Sequence, residues 1–251
     1  MTPDSTLTRT IHFPYSGITM FNQPKITFVL SIFQDMASEH AAHLKVSGFD
    51  LLEKGYKWVI ARYHIRFHST IKWMDRLTCH TWRTPHKNLY EVREFNVEDH
   101  QGDQIVSGSG VWIMVNNDTS RPVRLSRFMT DEMIKTQENK TFDFPDIEEP
   151  VAYDFNTTVV PGHQDIDLNQ HVNNTVYIGW AIDSIPSNHL KDLSPDSMSV
   201  IFHNQAFHGQ NISIMTHVSE RKQHVVTCHQ IVEQTGEKRL AMIEILWNKS
   251  E

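Results

Sequence analysis

The sequence predicts an α+β protein in which an antiparallel sheet wraps a buried central helix, and it predicts this arrangement twice. Three observations lead there: a long amphipathic helix near the start, a run of β-branched and aromatic segments behind it, and the return of the same order of elements in the second half. With 251 residues the chain has length for one large domain or two smaller ones, each able to bury a core.

The first helix is expected from about Lys25 to Val46. Residues such as Val29, Leu30, Phe33, Met36, Ala37 and His40 recur there at three- and four-residue steps. Gly48 is expected to end it, as a glycine just past a periodic segment does. Four strands should follow, in "KWVIARYHIRFH", "DRLTCHTWRT", "LYEVREFNVED" and "IVSGSGVWIMVN", with "HQGDQ" and "NNDTSRP" among the turns between them. Across 137–150 the composition changes to "QENKTFDFPDIEEP", acidic and with two prolines, which predicts a surface linker. The expected domains are therefore 1–136 and 151–251.

Beyond the linker come a strand near "VAYDFNTTVV", a polar cluster, a helix from Thr175 to Ile185, and strands in "SMSVIFHNQAF", "NISIMTHVSE", "HVVTCHQIVEQ" and "KRLAMIEILW". That helix carries apolar residues on nearly every side, so it should be buried. The order repeats the first half. Placing Asn22-Gln23 on Asn169-Gln170 brings Phe33 onto Trp180, and sets Met20 and Pro24 where the second half has Asp167 and His171. Only one copy then holds the polar cluster.

Composition narrows the function. Hydrophobic residues at 39% and charged residues at 21% describe a globular chain, and no run approaches the roughly 20 apolar residues of a membrane span. The start "MTPDSTLTRT" lacks the basic and apolar regions of a secretion signal, so a cytoplasmic location is expected. A net charge of -7 argues against nucleic acid as a partner. Basic clusters do occur in "RTPHK", "RPVRLSR" and "ERKQH", either as solvated faces or as contacts for an acidic partner. The 16 histidines lack the spacing of a metal motif, so no metal and no cofactor are expected. Cys79 and Cys228 lie in strand-like segments and should be buried thiols.

The polar cluster is "DIDLNQHVNN", residues 165 to 174. In an extended segment Asp167, Asn169 and His171 would share one side, at the mouth of the buried helix. Asn173 or Asn174 is a natural N-cap, and the helix amides beyond it suit a developing oxyanion. His171 is the side chain best matched to accept a proton at neutral pH. Asp167 can orient it, and the Asn169 amide can hold a carbonyl oxygen or a water. Caps and turns alone use these residue types too, but the alternating Asp, Asn and His exceed what capping requires.

At this point the sequence resembles the acyl-acyl carrier protein thioesterases of plants and bacteria. The strongest likeness is "DLNQHVNNTVYIGWAIDSIP", supported by "WVIARYHI" at 58 to 65, "GSGVWIMVNNDTSRPVRL" at 108 to 125 and the long first helix. The resemblance implies two tandem hot-dog domains and hydrolysis of a fatty acyl thioester, with no cofactor and an acidic acyl carrier protein as partner. It sets the family's catalytic Asp, Asn and His on Asp167, Asn169 and His171. The downstream Glu, and the Cys that follows it in the plant enzymes, fall on Gln205 and Ala206. A cysteine nucleophile is therefore unavailable at 206, and Gln205 could only position water.

By the same resemblance the acyl chain enters a hydrophobic tunnel in the first domain, near Trp58 and Arg62, and two fused hot dogs form a monomer or pair again as a homodimer. The expected mechanism is attack by a water that His171 deprotonates, with the oxyanion held by Asn169 and amides near Asn173 and Asn174. An acyl-CoA thioesterase, or an acyl-binding protein without catalysis given Gln205, are the alternatives.

Overall fold

The computed structural model describes residues 6–86, 88–131, 133, 144–221, 224–236 and 238–249. Residues 137–143 of the expected linker lie outside these. Residues 144–150 run without regular structure, held by Arg62 Nη2 donating to the Pro145 carbonyl (3.0 Å) and by Arg239 paired with Glu149 (2.7 Å).

In chain order the elements are β1 (Thr6–His12), α1 (Ile26–His43), α2 (Gly48–Leu52), β2 (Tyr56–Phe67), β3 (Arg76–His86), β4 (Tyr90–Glu98) and β5 (Gln104–Asn116). The second half contains β6 (Phe155–Val159), α3 (Asn174–Asp183), α4 (Ser187–Leu190), β7 (Leu193–Phe202), β8 (Ile212–Arg221), β9 (His224–Glu233) and β10 (Arg239–Lys249). All strand pairs are antiparallel, in one sheet of order β1-β3-β4-β5-β2-β7-β10-β9-β8-β6. The two halves join through β2 and β7, where His64 faces Ser199 and their side chains bond at 2.8 Å. Each half thus covers the other's open sheet edge.

α1 buries Ile26, Val29, Leu30, Phe33, Met36 and Ala37 against the sheet, the face its periodicity announced. Phe33 stacks on Phe95 of β4 at 4.3 Å between centroids. Gly108 of β5 permits this, since a Cβ there would lie 2.6 Å from the Phe33 ring. Gly48 does not end α1. The helix stops at His43, Lys45 turns left-handed at φ 62°, and Gly48 opens α2 behind a capping box of Ser47 and Asp50. In α3 only Asp183 is exposed, as a helix apolar on nearly every side requires. Among the described residues no helix is long and apolar enough to cross a membrane.

The repeat is visible in the backbone, one residue away from the expected alignment. Lys25 N–H bonds to the Gly17 carbonyl as Asn173 does to Asp165, and Thr19 N–H to Gln23 as Asp167 does to His171. Ile18 bridges Pro24 as Ile166 bridges Val172. The left-handed residues are Asn22 (φ 59°) and Gln170 (φ 63°). Asp167 and His171 therefore correspond to Thr19 and Gln23, not to Met20 and Pro24. The matched Asn-Gln pair misled because the shared feature is a backbone conformation that asparagine adopts readily, while the second copy places a glutamine there.

His229 of β9 is fully buried, and its bonds fix its tautomer. Ser184 donates to the Ala181 carbonyl (2.7 Å), so it accepts from Thr216 (2.6 Å), which accepts from His229 Nδ1 (2.9 Å). Trp247 Nε1 donates to Thr227 (3.0 Å), whose hydroxyl is left to donate to His229 Nε2 (3.0 Å). This pattern suits the neutral ring, and burial pushes its pKa down to about 3 from an ordinary 6.5. The stabilisation is complete above the unfolded value and is lost as pH falls through the interval between the two. Unfolding free energies measured over that interval should fall with acidification by up to about 1.4 kcal/mol per pH unit. A folded His229→Gln protein with the same slope would contradict this.

Candidate active site

Residues 165–173 form a tight hairpin, not an extended segment. Asp167 N–H bonds to the His171 carbonyl (2.8 Å), Gln170 N–H to the Asp167 carbonyl (3.0 Å), and Ile166 bridges Val172. Asp167 Oδ1 also accepts from Asn169 N–H at 2.8 Å. Leu168 and Gln170 are exposed, and Val172 is buried. Leu168 and Gln170 face away from the site as strand alternation would have them, but Val172 does not join them, because the chain turns at Gln170 (φ 63°). Val172 N–H then bonds to the Ala206 carbonyl (2.9 Å), and Ala206 N–H to the Tyr177 hydroxyl (2.9 Å), which ties hairpin, α3 and the segment after β7 together.

Asp167, Asn169, His171 and Gln205 line one cleft of about 430 Å³, with Lys57 and Phe207 among its other walls. The His171 ring meets Phe207 edge-on at 5.0 Å. Its Nδ1 is buried and has no hydrogen-bond partner. Burial, then the charge of Lys57, lower the His171 pKa against an opposing pull from Asp167. The ring is consequently neutral at pH 7 and able to take up a proton. Asp167 acts on the imidazole through its charge, and the hydrogen bond expected to orient His171 is absent. Lys57 itself is lowered by burial and raised by Asp167.

Asn173 is the N-cap of α3. Its Oδ1 accepts from Thr175 N–H and from the Thr175 hydroxyl, both at 2.9 Å. Val176 N–H bonds to the Asn173 carbonyl at 3.0 Å. Asn174 opens the helix and borders the cleft.

A second cavity of about 440 Å³ lies beneath α1 and is shaped by Ala37, Ala41 and Ala42. Asp167, Asn169, Asn174 and Trp58 line both cavities, and Trp58 is held by Nε1 donating to the Val46 carbonyl at 2.9 Å. Arg62 lines neither. A bulge between Ile60 and Arg62 reverses the alternation of β2, so Arg62 turns outward onto Pro145, Asp146 and the Phe144 ring.

Ala206, beside Gln205, is fully buried. Cys79 and Cys228 are free, buried, and pushed up to about 12 by burial. Among the described residues no group of three or more His, Cys, Asp and Glu could hold a metal ion. Lys57 was missed by the sequence reading, although it directly precedes the "WVIARYHI" segment; no spacing marks it.

The basic clusters divide. Arg83 of "RTPHK" is not a surface residue, since its side chain is 7% exposed and pairs with Glu91 at 2.5 Å. Lys87 lies outside the described residues, as do residues 222–223 of "ERKQH". Arg121, Arg124 and Arg127 are exposed, and Arg121 directly follows Ser120, which lines the cleft.

The family model of the acyl-ACP thioesterase N-terminal domain matches residues 5–136, and that of the C-terminal domain matches residues 148–249. The chain belongs to the acyl-ACP thioesterase family. An oleoyl-acyl carrier protein thioesterase of Coriandrum sativum, chloroplastic, is 25% identical over 207 residues, which are 75% of this chain and 56% of that protein. The chain spans about half the length of the curated relatives it matches. A 12:0-ACP thioesterase from Umbellularia californica superposes with a TM-score of 0.83 at 17% identity, over 99% of this chain and 95% of that one. A candidate oleoyl thioesterase of Lactobacillus plantarum gives 0.85 at 19% identity over the whole of both chains. At such identities the likeness establishes the fold, the tandem hot dog.

Proposed function

We propose that the chain hydrolyses fatty acyl-acyl carrier protein thioesters to the free acid and the carrier thiol. One observation carries this reading: Asp167, Asn169 and Asn174 stand between the histidine cleft and the cavity under α1. A thioester carbonyl at that junction would put the carrier's thiol arm in the cleft and the acyl tail in the first half of the chain. Water attacks the carbonyl carbon as His171 takes its proton; the carbon–sulfur bond then breaks, and the thiolate recovers a proton from the imidazolium. Thr175 and Val176 already use their amides, so oxyanion stabilisation falls to the Asn169 side chain and Asn174 N–H. Gln205 positions the water. Arg121, exposed beside Ser120 at the cleft wall, offers an acidic carrier a contact there, with Arg124 and Arg127 exposed further along the same segment.

Thiol release measured on acyl carrier protein and CoA thioesters of one acyl chain tests the reading. Release from both with a higher kcat/KM for the carrier supports it, a preference for CoA makes the chain an acyl-CoA thioesterase, and acyl binding without release makes it a sensor, the reading that Gln205 favours. The pH profile follows from the lowered His171 pKa. Since the neutral ring is the active form, kcat/KM should rise with pH along an acid limb centred below 6.5 and be level at neutrality. A limb centred above 7 would assign the base elsewhere.

A further inference from the structure

The cavity under α1 is not closed by hydrocarbon. Its wall includes Arg83 of β3 with Glu91 and Arg93 of β4, whose side chains are 7%, 3% and 4% exposed. Glu91 accepts from Arg83 Nε (2.5 Å) and from Arg93 Nη2 (3.0 Å), and Arg93 Nη1 lies 3.0 Å from His40 Nδ1 on α1. Two guanidiniums thus share one carboxylate, a buried excess of one positive charge. Arg83 Nη2 donates to the thioether of Met129 at 2.9 Å, a weak acceptor for a charged donor.

A second observation points the same way. Trp112 of β5 lines this cavity, and its indole N–H is buried without a hydrogen-bond partner. Gly110 pairs in the sheet with Arg93, and Arg93 with Arg83. The wall therefore presents the N–H groups of two guanidiniums, one of them held by a thioether, and one indole N–H without an acceptor. A hydrocarbon end lying there would leave the indole N–H unpaired, at a cost.

Strands β2, β5, β4 and β3 lie side by side. Arg93 and Arg83 are accordingly two and three strand spacings from β2, roughly 10 and 14 Å across the sheet, within reach of a medium-length acyl chain. Resting on the thioesterase reading above, we propose that the cavity selects acyl chains bearing an oxygen at the distal end, a hydroxyl or carboxylate met by Arg83, Arg93 and the Trp112 N–H. The net positive charge of the wall favours the carboxylate.

The test compares octanoyl, decanoyl and dodecanoyl thioesters ending in methyl, hydroxyl or carboxylate. At the fitting length the oxygen-ended chains should show at least about a tenfold higher kcat/KM than the methyl-ended one, the worth of one hydrogen bond to a charged group. In Arg83→Met and in Trp112→Phe, which keeps an aromatic ring, the ratio should fall toward one. A methyl-ended chain preferred at every length, or a ratio unchanged in both folded variants, overturns the proposal. Calorimetric binding of the same chains carried as uncharged N-methyl amides, which have no carboxylate at the carbonyl end, separates the two readings. If no thioester is cleaved the hydrolase reading fails, and tighter binding of oxygen-ended amides would still support the pocket, while tighter binding of methyl-ended amides would overturn it.

Discussion

Alanine in place of His171 is expected to lower acyl-thioester turnover by about 100- to 10,000-fold, the range a positioned general base contributes, with thermal unfolding little changed. The ring is partly buried against Phe207 and makes no hydrogen bond through Nδ1, so its removal disturbs few contacts. Asp167 needs a subtler substitution, because its Oδ1 holds the Asn169 amide in the hairpin. Asp167→Asn keeps an acceptor there but removes the charge that favours the imidazolium, so it should lose turnover while still binding acyl chain. Steady-state thiol release beside an unfolding curve checks both. Unaltered turnover in a folded His171→Ala protein would remove the imidazole from the reaction.

The largest effect on stability is expected at Glu91. Removing the carboxylate with Glu91→Ala leaves Arg83 and Arg93 facing each other across β3 and β4 with their shared counter-charge gone. Breaking a buried ion pair in this way costs about 3–5 kcal/mol, which for a chain of this size lowers the midpoint by roughly 10 °C. Burial already presses the Arg93 pKa down, with Glu91 the main opposing influence. Calorimetry of the variant measures the effect, and a shift of only a degree or two would show that the guanidiniums do not depend on Glu91.

The long elements were legible because their periodicity is strong. α1, the central strands and the position of α3 follow from apolar residues at helical or strand spacing. β1 was missed because an outermost strand, exposed at most positions, leaves little apolar alternation to see. The convergence of Asp167, Asn169 and His171 was predicted from strand alternation, yet a hairpin achieves it. Trp58 lines both cavities, but the bulge in β2 turned Arg62 away, and a one-residue register shift leaves no mark in the residues themselves. The buried cluster of Arg83, Glu91 and Arg93 was illegible for a related reason. Charged residues on a strand read as solvent-facing until the partner strand and helix are placed against them.

Where a bound thioester lies decides whether Asn169 and Asn174 hold its carbonyl oxygen. A crystal structure of the His171→Ala protein with a non-hydrolysable decanoyl thioester analogue should place the carbonyl oxygen about 3 Å from the Asn169 side-chain amide or Asn174 N–H, with the tail in the cavity beneath α1. A carbonyl far from both groups, or a tail lodged outside that cavity, would contradict this placement.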